Sequence, residues 1–137
     1  MTAVVEKEAV APIDDFLRLR EITGLTPRAR EAAELGLKNS LYGVHLCVED
    51  KVVAMGRVVG DGGLNFEVVD IAVDPDYQGL GLGRQVMQAV MKYLDKAAGP
   101  TAYITLMADV PELYEKFGFV PSAPGSIGMH IIRPPGR

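Results

Sequence analysis

Gln78-Gly79-Leu80-Gly81-Leu82-Gly83-Arg84 constrains this chain more than any other stretch. It follows a strand-like run, Phe66 to Val73, and precedes a helix-like one, Gln85 to Lys96. Three glycines in five positions let the backbone turn sharply and approach a ligand without Cβ interference. A glycine-rich turn feeding a helix offers free N–H groups and the positive end of the helix dipole, which suit a phosphate or pyrophosphate. The helix is read from Val86, Met87, Val90, Met91 and Leu94, which share one face, with Met87 and Met91 as core packing. The alternative is an ordinary strand-to-helix turn.

Spacing excludes two other phosphate loops. A Walker A loop needs Gly-Lys followed by Ser or Thr, and neither follows Gly83. The dinucleotide fingerprint starting at Gly79 and Gly81 requires glycine at position 84, which is Arg84.

What remains, Gln78-x-x-Gly81-x-Gly83 between strand and helix, resembles the acetyl-coenzyme A loop of the GCN5-related N-acetyltransferases (GNAT). A second match lies about thirty residues downstream, where Leu113-Tyr114-Glu115-Lys116-Phe117-Gly118-Phe119 is similar to the family's Leu-Tyr-x-Lys-x-Gly-Phe. The resemblance covers roughly residues 41 to 131. It implies an α/β fold with a mixed, largely antiparallel central sheet flanked by helices. It also implies acetyl-CoA as cosubstrate and direct transfer of acetyl to a primary amine of a small molecule or peptide. A catalytically weak acetyl-CoA sensor or regulatory subunit of the same fold is the alternative.

Composition agrees. A 137-residue chain with 48% hydrophobic residues is read as one domain, 1–137, with one core. A net charge of −4, without a basic cluster, argues against nucleic acid and anionic membrane as partners. No signal peptide or apolar spanning run is visible, so the expected location is the cytoplasm. The single cysteine, Cys47, excludes an internal disulfide, and no cysteine/histidine cluster suggests a metal. Cys47 and His45 read as structural residues of a strand, and His130 as structural or solvent-facing.

The elements expected along the chain begin with a helix from Pro12 to Glu21. A second opens at a Thr26 cap with Pro27 in its first turn and runs to about Leu35. Tyr42–Val48 and Lys51–Val59 form a hairpin around Glu49-Asp50. A strand from Leu64 to Val73 leads into the glycine loop. Ala102 to Met107 is a strand, Asp109 caps a short helix opened by Pro111, and a last strand lies near Ile127 to Ile132. The short, charged pattern of Val4 to Val10 decides neither for nor against a first strand.

The resemblance also assigns roles. The amides of Gly79, Leu80, Gly81, Leu82, Gly83 and Arg84 would hold the pyrophosphate, with Gln78 also at the cofactor. The main chain of Ile71, Ala72 and Val73 would pair with the pantetheine arm, and an N–H near Ile71 would face the developing oxyanion. Tyr114 would touch the cofactor and give a proton to the leaving thiolate; its other reading is helix packing beside Phe117. Many relatives carry asparagine just before this helix, where the chain has Ala108-Asp109-Val110, so that contact is not carried over.

An alkylammonium acceptor must lose a proton before it attacks, so a carboxylate or water chain is needed. Glu67 and Asp70 lie among apolar neighbours, where a carboxylate must be paired or functional. Three apart, they point to opposite faces of a regular strand, unless a bulge brings them together. The competing reading pairs one of them with an arginine such as Arg57. The acceptor pocket is expected from the helices within residues 18–37 and the last strand, and homodimers are common in the family.

Overall fold

Tyr42–Val48 (β2) and Lys51–Gly60 (β3) form the expected antiparallel hairpin, with Glu49 and Asp50 both at positive φ in the turn. The computed structural model describes residues 3–134 and forms two compact units, one ending at Leu106 and the other starting at Met107. In the first unit five strands run in the order β1-β2-β3-β4-β5, with β1 at Val4–Lys7, β4 at Asn65–Val73 and β5 at Tyr103–Leu106. All neighbours are antiparallel except β4 and β5, which pair in parallel. This is the expected mixed sheet, and the undecided segment after Val4 supplies its first strand.

Helices cover both faces. Helix α1 (Ile13–Ile22) and helix α2 (Arg30–Leu37) bury Phe16, Leu19, Ala33 and Leu37 against Cys47, Val52, Met55 and Ala72. Helix α3 (Leu82–Ala97) packs on the opposite face through the fully buried Val86, Met87, Val90 and Leu94. It lies so close to β3 that a Cβ on Gly56 would meet Val86 Cγ1 and Ile71 Cδ1 at 2.6 Å each. A larger residue there would have to displace both side chains.

Helix α2, the short helix and the last strand depart from expectation. Helix α2 starts at Arg30, with Ala29 as N-cap, because the Thr26 carbonyl is taken by Arg20, whose Nε and Nη2 donate to it at 3.0 and 2.6 Å. Thr26 and Pro27 therefore stay in a loop. In the second unit, helix α4 (Pro111–Glu115) is capped by Val110 rather than Asp109 and has no side-chain cap. A residue before proline is driven out of the helical region, which places the boundary at Val110 (φ −128°, ψ 79°). Residues 127–132 form no strand: Ile127, Met129 and Ile131 are 74%, 91% and 84% exposed. Alternating hydrophobicity needs a hydrogen-bonded neighbour before it becomes a strand.

Tyr42 yields a stability prediction. Its ring stacks on Tyr93 with centroids 4.7 Å apart, while its hydroxyl is buried with no hydrogen-bond partner among the described residues. Burial, with help from Glu8 and Glu6, pushes its pKa up to about 12. The folded state thus favours the neutral phenol, and this contribution is present below the ordinary value of about 10 and lost as pH rises from 10 to 12. Tyr42→Phe keeps the stack and removes the stranded hydroxyl. It should raise stability by about 1 kcal/mol at neutral pH and shrink the alkaline loss in pH-dependent melting.

Candidate active site

Val68 is the last β4 residue paired with β5, opposite Leu106. Beyond it Val69 to Val73 continue alone on that side, held on the other by β3. Among the described residues, then, the Ile71-Ala72-Val73 main chain presents a sheet edge with no strand upon it. An extended amide-bearing ligand can add there as a strand.

The β3–β4 ladder contains one extra residue at this point. Arg57 pairs with Val69 and Met55 with Ala72, so two steps on β3 match three on β4. Asp70 occupies the bulge at φ 59°, a left-handed conformation that aspartate tolerates better than most residues. The bulge reverses the face sequence. Glu67 and Asp70 come to the same side, the one covered by α1, as do Val69 and Ala72, whereas Ile71 turns toward α3.

Their environments differ. Asp70 Oδ2 accepts from Arg57 Nε at 2.6 Å, and Oδ1 pairs with Arg20 Nη1; the Asp70 side chain is 6% exposed. Both guanidinium groups also lie about 6 Å from the Phe16 ring. Burial lowers the Arg20 pKa, Asp70 opposes that, and Arg28 and Arg57 add to it. Removing one partner from such a buried group typically costs about 3–5 kcal/mol. The anticipated Arg57 partner is present. Arg20, fifty residues distant in sequence, was not legible as one. Glu67 is half-buried, and its side chain makes no hydrogen bond or ion pair among the described residues.

After β4, Asp74 caps a single 3-10 turn, Pro75–Tyr77, by accepting from the Asp76 N–H at 2.9 Å. Gln78 is then extended, and its Nε2 donates to the Val73 carbonyl at 3.1 Å. Gly79 and Gly81 have φ 79° and 80°, where a side chain would be strained, and nothing lies within 4 Å of a Cβ at either. Gly81 is the N-cap of α3, so Leu82, Gly83 and Arg84 form its first turn rather than the end of a loop. No side chain caps this end and its first turn holds no acid, leaving several N–H groups unpaired within the helix. The Leu82 side chain is buried, so only its amide is available; Leu80 and Arg84 are exposed.

In the second unit, Tyr114 is buried on α4 and meets Phe119 edge-on, with centroids 6.5 Å apart. Phe119, rather than Phe117, is its aromatic neighbour. Burial raises the phenol pKa above its ordinary value, with a smaller push from Asp109. Cys47 is buried, and His45 Nδ1 lies 2.7 Å from the Ala9 carbonyl, so both are structural. The described residues contain no cluster able to hold a metal and no helix long and apolar enough to cross a membrane.

A model of the acetyltransferase (GNAT) domain matches residues 41–121. The chain belongs to the GNAT family. A probable acetyltransferase from meticillin-resistant Staphylococcus aureus shares 43% identity and superposes with a TM-score of 0.91, over 96% of this chain and 100% of that one. An uncharacterized N-acetyltransferase of Pyropia yezoensis is 31% identical over 82% of this chain and 67% of its own length. A chloroplastic serotonin N-acetyltransferase of Oryza sativa is 37% identical over 59% of this chain, which spans only 40% of that relative. Membership makes the chain an N-acetyltransferase. Acetyl-CoA is the general cosubstrate of this GNAT fold.

Proposed function

We propose that residues 1–137 act as one acetyl-CoA-dependent N-acetyltransferase domain that passes acetyl directly to a primary amine of a small molecule or peptide. The observation that carries this reading is the continuity of an unpaired β4 edge, Ile71 to Val73, with the uncapped glycine-rich N-terminus of α3. Together they match the two main-chain needs of the cosubstrate: an edge for the pantetheine amides and bare N–H groups for the pyrophosphate.

The chemistry follows from the groups present. The amine nitrogen attacks the thioester carbon, the carbonyl oxygen takes up negative charge, and the carbon–sulfur bond then breaks. A main-chain N–H near Ile71 stabilises the oxyanion. Tyr114 gives its proton to the departing sulfur; its raised pKa keeps the phenol protonated at neutral pH.

Glu67 is the better of the two carboxylates for general base. Asp70 has both oxygens committed to guanidinium groups, whereas Glu67 has no such partner and shares the α1 face. Glu67→Gln should lower kcat/KM at neutral pH by about 10²-fold. The deficit should shrink as pH approaches the amine's own value near 10, where the acceptor is already deprotonated. Undiminished activity at neutral pH would return that role to water.

The relative named for serotonin gives one acceptor worth testing and does not transfer by itself. Purified protein incubated with acetyl-CoA and a panel of arylalkylamines, polyamines, amino acids and peptide N-termini, read by mass spectrometry, should show one acceptor class gaining a single acetyl group. Thioester consumption without any acetylated amine would contradict amine transfer.

A further inference from the structure

Helix α1 grips β4 at both ends of the stretch whose outer edge is free. At the near end Arg20 pairs with Asp70 in the bulge. At the far end Arg18 Nη1 lies 3.5 Å from Asp74 Oδ2, while its Nη2 donates to the Val52 carbonyl of β3 at 2.6 Å. Asp74, with its side chain 4% exposed, also faces Lys51 Nζ at 3.5 Å and caps the turn leading to Gln78. Its own N–H donates to the Val53 carbonyl at 2.8 Å. Ile71, Ala72 and Val73 are thus strung between two buried carboxylates, each held by an arginine of one helix.

The arrangement answers a local weakness. The bulge interrupts the β3–β4 ladder beside Gly56, and β5 has already ended at Leu106. The ladder resumes at Ala72 and Val73, opposite Met55 and Ala54, so β3 alone holds this stretch, and Asp70 and Ile71 have no cross-strand partner on either side. Fixing one residue's backbone costs about 1–2 kcal/mol, so ordering this segment only on ligand arrival would weaken binding.

We propose that Arg18 and Arg20 are positioning residues that hold Asp70 to Asp74 in binding-competent shape before acetyl-CoA arrives. The proposal rests on the cofactor reading of this edge. Neither arginine contacts the cosubstrate in it; both act through Asp70 and Asp74.

Arg18 is the testable partner because its side chain is one-third exposed, whereas Arg20 is buried. By calorimetry, Arg18→Met should weaken acetyl-CoA binding by about 2- to 30-fold, the range of 0.5–2 kcal/mol seen for residues that couple to a site without touching it. KM for acetyl-CoA should rise while kcat at saturation holds. In the free variant, amide exchange should quicken at Ile71 to Val73 and stay unchanged at Val44 and Leu46 of β2. Asp74→Asn keeps an oxygen for the Asp76 N–H and removes the charge that Arg18 holds, so it should reproduce the pattern and serves if Arg18→Met does not fold. Unchanged affinity in either folded variant, or exchange that quickens equally in β2, would overturn the proposal. Failure of the wild-type protein to bind acetyl-CoA would instead overturn the cofactor reading.

Discussion

Gly81→Asp should abolish the stabilisation of this protein by acetyl-CoA. At a hundredfold excess over Kd, a one-site ligand stabilises by about 2.7 kcal/mol, which corresponds to a rise in Tm of roughly 10 °C for a chain of this size. The substitution places a carboxylate at the N-cap of α3, beside the amides that a pyrophosphate would take. The open space around Gly81 means that the side chain enters without a steric clash. Its φ of 80° is left-handed, so some loss of intrinsic stability is also expected. Gly81→Asn separates the two effects, since it bears the same backbone strain without the charge and should retain part of the ligand-induced shift. Gly83→Asp, in the first helical turn and without a left-handed φ, should lose the shift through its charge and not through backbone strain. A folded Gly81→Asp or Gly83→Asp variant with undiminished acetyl-CoA affinity would remove the loop from the binding site.

Tyr114→Phe should cut turnover by about 10²–10⁴-fold, the usual worth of a positioned general acid. The lower end is expected, because a coenzyme A thiolate leaves comparatively well. The ring and its edge-on contact with Phe119 are retained, so stability should change little. Acetyl-CoA affinity should also hold, since the proposed binding is mostly to the main chain of β4 and of the glycine loop. The pH profile gives a second check. Burial raises the phenol above its ordinary value of about 10, so the proton is present throughout the neutral range and any alkaline fall owed to it begins only above that value. Full activity in Tyr114→Phe, measured where chemistry limits the rate, would leave Tyr114 as packing.

What could be read in advance divides along physical lines. The β2–β3 hairpin and β4 were legible because each carries a dense apolar run bounded by turn residues, and the bounds differ from the structure by a residue at most. The glycine loop was legible as a ligand turn, but its end was placed three residues late. Glycine is a poor helix former, and only the φ of Gly81 shows that Leu82 already starts the helix. The Thr26-Pro27 cap failed because Arg20, a residue of the preceding helix, captures the carbonyl of Thr26. The segment after Ser126 shows the opposite failure: strand-like alternation without a ladder.

The carboxylates show the same limit within the site. That Glu67 and Asp70 needed a partner or a role followed from their apolar setting. Which of them had a partner depended on the bulge and on Arg20, an element-to-element contact with no local signature. The Arg18–Asp74 link was equally hidden, since the two are 56 residues apart. Main-chain recognition leaves no side-chain pattern at all, and so the free edge of β4 became visible only once β5 was seen to stop at Leu106.

In the proposed complex one cosubstrate lies along the β4 edge and on the α3 N-terminus together. Amide hydrogen exchange of the wild-type protein, with and without saturating acetyl-CoA, tests it most directly. Slowed exchange at both Ile71–Val73 and Gly79–Arg84, with β1 and β2 unaffected, is the predicted result. Binding that leaves both segments unprotected, or that protects only residues elsewhere, would contradict it.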